Sequence, residues 1–326
     1  MAGADVIRHR LVDISPKAYE HPADRAATTA LRRIPKLDLV VRKLIEFQYE
    51  RALRQSFLAS SVKLGPRQLP KVWKRYENVL ATLDMPETYD LYVTQYPLTN
   101  AATIGSKQPM IVLASSAVSL LDEAEVETVL AHEAGHILSD HVMYTTALLL
   151  LLRLSVPRVG IATFPLLALQ TALLEWFRAT ELSCDRAATL VNRDPLVTSR
   201  TLMVMAGGAA SRKLDLDAFL AQAAEYEEWD SGWDRLSRFF VELRLTHDFP
   251  VRRVHELTKW VRSGEYDRII GGDYPKRGDD VDSRAAASDA VDHYARRFKR
   301  IAEAAQEEVE KASGRLSDWL RYGSEN

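Results

Sequence analysis

One cysteine, Cys184, in 326 residues leaves no intrachain disulfide to form. The chain must therefore hold together through its core, which a chain of this length is large enough to build. It also has almost no charge imbalance, with a formal net charge of −2, so nothing draws it generally toward nucleic acid, and no nucleic-acid partner is expected. An apolar run at the start is missing too: Met1 to Arg10 is polar and charged, which predicts no signal peptide and makes the cytosol the expected compartment. Long uncharged apolar runs are scarce. The most apolar segment, Val142 to Leu174, is interrupted by Arg153 and Arg158. Its longest uncharged stretch, Val159 to Leu174, has sixteen residues and contains Pro165, Gln170 and Thr171, whereas a spanning helix needs about 20 apolar residues. A buried helical hairpin broken at Val156-Pro157 and Phe164-Pro165 fits this segment; an interfacial or re-entrant segment is the other reading.

What is present is mostly helical in pattern. Leu37, Val40, Val41, Leu44, Ile45 and Tyr49 recur at helical spacing, and Val72, Tyr76, Val79 and Leu80 do so again after the Gly65-Pro66 and Leu69-Pro70 breaks. From Leu31 to Arg75 twelve basic residues stand against three acidic ones. Solvated helix faces explain that excess, and peripheral contact with anionic lipid is the alternative. Residues 88–115 change character, with short β-branched and aromatic runs separated by Pro97, Gly105 and Pro109, and read as strands and turns. Asp122 followed by Glu125 is a capping-box start for a helix expected to run from Glu123 into Leu150. Another helix is expected from Glu175 to Val191. Val291, Tyr294, Phe298, Ile301, Ala305 and Ala312 mark an amphipathic helix near the end, which either docks on its own domain or supports self-association.

The chemistry sits in His132-Glu133-Ala134-Gly135-His136, an H-E-x-x-H on the expected helix. Residues i and i+4 lie about 40° apart around a helix, so both imidazoles project from one face and can reach a single ion. Glu133 lies beside the first of them, where its carboxylate can reach a metal-bound water without binding the metal. Two histidines and a glutamate would be costly to bury in an apolar stretch without such a partner. Further on, Glu181 and Asp185 share a helix face by the same spacing, Glu181 as third ligand and Asp185 as a carboxylate that fixes an imidazole tautomer. Two histidines and one glutamate leave a fourth position open, the pattern of a catalytic zinc site. His141, five residues past His136, is read as a surface or helix-end histidine and Cys184 as a small buried filler. Arg252 and Arg253 are candidates to line the cleft.

H-E-x-x-H followed by E-x-x-x-D resembles the gluzincin zinc peptidases. The run Leu120 to His136, with Asn100-Ala101, Gly105 and an apolar strand before it, is similar to the family of the membrane protease HtpX and the CAAX prenyl endopeptidases. The resemblance implies one Zn2+ per chain held by His132, His136 and Glu181, with Glu133 as general base and Asp185 orienting His132. It implies that Thr246-His247 matches a downstream T-H-P, with His247 stabilising the oxyanion, although Asp248 and Phe249 intervene before Pro250. It also implies that Asn100, Ala101 and Ala102, with Thr103, form an edge strand that pairs with an extended polypeptide substrate. Firm membrane-spanning helices of HtpX have no counterpart here, so a prenylated substrate is not implied.

The expected fold is α+β, mainly helical and zincin-like, with a small β-sheet before the active-site helix. The expected organisation is a helical front segment over 1–87, a catalytic domain over 88–277 and an amphipathic helix over 278–326. The expected function is zinc-dependent endopeptidase action on unfolded or extended segments, in protein quality control. A zinc-stabilised, non-hydrolytic adaptor or chaperone is the alternative. An aminopeptidase would need a group that anchors the substrate amine, and the sequence has no G-x-M-E-N-type signature.

Overall fold

In the computed structural model the described residues are 9–32, 49–95, 101–154, 164–228 and 249–279. Helices α1 (Pro22–Arg32), α2 (Tyr49–Ser60) and α3 (Pro70–Thr82) precede or interleave with a short strand β1 (Val62–Lys63). Strands β2 (Asp90–Thr94), β3 (Ala101–Ile104) and β4 (Met110–Ala114) follow, then the short helix α4 (Ser115–Leu120). The rest is helical: α5 (Glu123–Leu138), α6 (Val142–Leu154), α7 (Phe164–Asn192), α8 (Pro195–Gly207), α9 (Leu216–Glu228), α10 (Pro250–Arg262) and α11 (Glu265–Ile270). The mainly helical α+β expectation holds, with the small sheet placed ahead of the helix that carries the motif.

The sheet is mixed and runs in the order β1-β2-β4-β3, with β2 parallel to β4 and the outer pairs antiparallel. β4 is buried at every position, as a continuous apolar run demands. β3 is the outer strand on its side, pairing Ala101 with Leu113 and Thr103 with Ile111, and it touches both α5 and α6. β1 falls in a stretch that reads as helical front segment from sequence; two residues between Ser60 and Pro70 are too few to show a period.

The capping box forms as expected. Asp122 Oδ1 accepts from the backbone N–H of Ala124 and Glu125, both at 2.9 Å, and Glu125 Oε2 accepts from Asp122 N–H at 2.9 Å. The helix does not, however, continue to Leu150. It closes at Leu138 with a paired motif: His141 N–H donates to the His136 carbonyl at 3.0 Å and Asp140 N–H to the Ile137 carbonyl at 3.1 Å. Asp140 stands in the left-handed region at φ 58°, the role usually given to glycine at a helix C-terminus.

α7 lies along α5 with Gly135 at the contact. A Cβ at Gly135 would sit 3.1 Å from Ala187 Cβ and 3.5 Å from Cys184 Cα, so the missing side chain sets the helix spacing. α3 packs against α5, and α1 against α7. The amphipathic helix expected over 278–326 lies, apart from residues 278–279, outside the described residues. No described helix is long and apolar enough to cross a membrane.

Candidate metal centre

α5 and α7 bring the two halves of the motif together. One oxygen of Glu181, Oε1, lies 3.5 Å from His132 Nε2 and 3.2 Å from His136 Nε2. Ligands about 2.0–2.1 Å from a tetrahedral ion stand about 3.3 Å from one another, so Glu181 Oε1 lies at ligand-to-ligand spacing from each imidazole. All three side chains are buried, His132 being the most exposed at 9%. His132, His136 and Cys184 also have ligand atoms within 4.8 Å of one another. Burial and the carboxylates of Glu181, Asp24, Glu133 and Asp185 push the Cys184 thiol well above its ordinary range. Glu181 Oε1 meets both Nε2 atoms directly, while Cys184 Sγ stands 3.8 Å from His141 Nδ1.

Two carboxylates and a guanidinium anchor the His132 side. Asp185 Oδ1 lies 3.1 Å from His132 Nδ1. Arg253, from α10, donates to Asp185 through Nε at 2.8 Å and Nη2 at 2.6 Å, and its Nη1 lies 3.0 Å from Glu181 Oε2. A buried bidentate pair of this kind offsets much of the cost of desolvating both partners. Burial raises the carboxyls of Glu181 and Asp185, but Arg253 and His132 outweigh it and hold both below the ordinary carboxylate range. Burial lowers His132, yet Glu181 and Asp185 outweigh that and push it up to about 10. His136 goes down, because burial dominates the raising effect of its bond to Glu181. Arg253, a candidate cleft residue on sequence, is 4% exposed and turned onto the carboxylates.

Glu133 is held from the sheet. Thr103 Oγ1 donates to Glu133 Oε2 at 2.6 Å and also lies 3.2 Å from the Glu133 carbonyl. Thr103 therefore faces the helix, while Ala101 and Ala102, beside it on β3, are half-buried. Asn100 and His247 lie outside the described residues.

His141 stands at a helix end, between α5 and α6, but not on the surface. It is 2% exposed, and its Nδ1 lies 3.2 Å from His136 Nδ1. A continuous helix would carry it about 140° around the axis from His136; the turn at Asp140 instead folds it back onto the motif. No residue spacing announced that turn, because Ser139-Asp140 lacks the glycine that usually marks a helix stop.

The sequence comparisons agree with this geometry. Residues 66–261 match the model of peptidase family M48. The chain is 37% identical over 269 residues to the plastoglobule-localized metallopeptidase 48, chloroplastic, of Arabidopsis thaliana, covering 79% of this chain and 76% of that protein. A protease HtpX homolog of Tropheryma whipplei is 29% identical over 91 residues, 27% of this chain and 31% of that protein. No solved structure matches. The chain belongs to peptidase family M48 and is a metalloprotease of the HtpX-like kind.

Proposed function

We propose that the chain is a zinc-dependent endopeptidase that hydrolyses extended or unfolded polypeptide segments, with His132, His136 and Glu181 as ligands of one zinc ion and Glu133 as general base. The observation that carries this reading is the meeting of Glu181 Oε1 with both Nε2 atoms, beside a glutamate whose carboxylate is held by the outer strand. When bound, zinc supplies Lewis-acid chemistry, polarising a carbonyl and lowering the pKa of water toward about 7. The two carboxylates that draw positive charge to His132 suit a cation there with both imidazoles neutral.

Glu133 Oε1 is the carboxylate oxygen not engaged by Thr103; it would take the proton from the attacking water and pass it to the leaving amine. Asp185 holds His132 through Nδ1, which leaves Nε2 to face the ion. β3, with Ala101 and Ala102 half-buried at its outer side, would pair with the substrate backbone as an added strand and set the scissile bond beside Glu133. His247 is proposed as the oxyanion donor, and turnover of damaged chains as the cellular task.

The test is metal content and casein cleavage for the chain and for Glu133→Gln. One zinc in each, with cleavage reduced at least about 100-fold in the variant, is the expected result. Equal cleavage by both would overturn Glu133 as base. Zinc in both with cleavage by neither would point to a binding module instead.

A further inference from the structure

The two imidazoles of the motif are supported in different ways. His132 leans on Asp185, a carboxylate inside the region that matches the family. His136 leans on a second imidazole, and that one on a carboxylate from ahead of the family region. His141 Nδ1 lies 3.2 Å from His136 Nδ1, and His141 Nε2 lies 3.1 Å from Asp24 Oδ2. Asp24 belongs to α1 and is fully buried. Its Oδ2 also accepts from Ser183 Oγ at 2.6 Å and its Oδ1 from Thr28 Oγ1 at 3.0 Å. Trp176 closes over the His141 ring edge-on at 5.7 Å, and Cys184 Sγ stands 3.8 Å from His141 Nδ1.

The order of protons along this row follows from what each atom can do. An ionised carboxylate only accepts, so His141 Nε2 carries a proton and donates it to Asp24. A His136 bound to an ion through Nε2 keeps its single ring proton on Nδ1, and His141 Nδ1, 3.2 Å away, is the atom placed to accept it. With an ion between His136 Nε2 and Glu181 Oε1 in place of the proton the two would otherwise share, Nε2 carries no proton and stands where the ion needs it.

We propose that His141 and Asp24 are positioning residues of the metal centre, fixing His136 in its Nδ1–H tautomer, and that the segment ahead of the family region is thereby part of the site. The proposal rests on the zinc-site reading above. It gives α1 a purpose beyond packing: Ser183 and Thr28 hold the carboxylate, the carboxylate holds His141, and His141 holds His136.

The experiment measures zinc affinity by chelator competition, together with 15N NMR of the His136 ring in the zinc-loaded protein. The double variant His141→Leu/Asp24→Asn removes the row without leaving an unpaired buried charge. It should fold and bind zinc about 10–100-fold more weakly, and the His136 Nδ1–H, in slow solvent exchange in the parent, should exchange fast. His141→Gln, whose amide can accept from His136 and donate to Asp24, should stay near the parent in both readouts. A folded double variant with parental affinity overturns the proposal, as does a Gln variant that loses as much as the Leu variant, since volume alone would then explain the loss. If the double variant does not fold, Asp24→Asn alone decides: weakened zinc binding supports the relay and parental affinity overturns it. Failure of the parent protein to bind zinc would overturn the zinc-site reading itself, an outcome separate from any difference among the variants.

Discussion

Thr103 shows how much one hydroxyl can carry. Its proton goes to Glu133 Oε2 at 2.6 Å, which aims the other oxygen of a buried carboxylate that would otherwise choose between rotamers. Thr103→Val keeps the shape and the β-branch that suits a strand, so the backbone pairing of β3 with β4 should survive. We expect kcat to fall about tenfold, equivalent to about 1.4 kcal/mol in the barrier, with KM little changed. Steady-state kinetics on a quenched peptide checks this; an unchanged kcat would mean that Glu133 is aimed by its helix alone. The same reasoning explains Arg253. A guanidinium that bridges Asp185 and Glu181 keeps two buried carboxylates charged and in place.

Helices α5 and α7 form the frame of the centre, and their separation is set at Gly135. Alanine is intrinsically the better helix former by about 1 kcal/mol. Its methyl group, however, would stand 3.1 Å from Ala187 Cβ, a partner that cannot swing away without moving α7. Overpacking of this sort costs about 1–3 kcal/mol, so we expect Gly135→Ala to lower stability by about 1 kcal/mol net and to weaken zinc binding as Glu181 shifts away from the two imidazoles. Thermal unfolding with chelator titration tests it, and a variant more stable than the parent with unchanged zinc affinity would show that the helices have slack. The end of α5 matters equally. The turn at Asp140 places His141 under the motif, and a continuous helix would have carried it away.

The front of the chain is fastened to the rest at several points. Ile14 bridges Lys276, Arg277 pairs with Asp13 at 2.7 Å, and His21 Nε2 meets Glu256 Oε2 at 3.2 Å, tying the start of α1 to α10. His21 Nδ1 accepts from Ala23 N–H, so its Nε2 is the donor to Glu256. The bond from His21 holds Glu256 down at about 2 from an ordinary 4.5, against the opposing effect of burial, while burial lowers His21 from 6.5. In both cases the unfolded chain binds protons that the folded one refuses, so stability rises with pH across each window. Acidification should therefore weaken the fold first below pH 6.5 through His21, then between pH 4.5 and about 2 through Glu256. Glu256→Gln should flatten the second limb and cost on the order of 2 kcal/mol at pH 7. Urea unfolding of both proteins at pH 7 and pH 3.5 measures it; parallel losses in the two would assign the acid sensitivity elsewhere.

The local pattern was enough for a good part of this protein. The H-E-x-x-H and the E-x-x-x-D each declare their shared face because a helix repeats every 3.6 residues whatever it packs on. The capping box at Asp122 and the apolar run of β4 are equally local signals. Thr103, Arg253, His141 and Asp24 could not be assigned in that way. Between Leu138 and Val142 stand Ser139, Asp140 and His141, with no glycine or proline to mark a stop, so periodicity assigns α5 no end and a continuous helix would put His141 about 140° around the axis from His136. Asp24 meets His141, and Arg253 meets Asp185, only because α1 and α10 pack onto α7. A buried charge chooses its partner from whatever the packed helices bring within about 3 Å, and that choice depends on contacts between segments far apart in the chain, which no local spacing encodes.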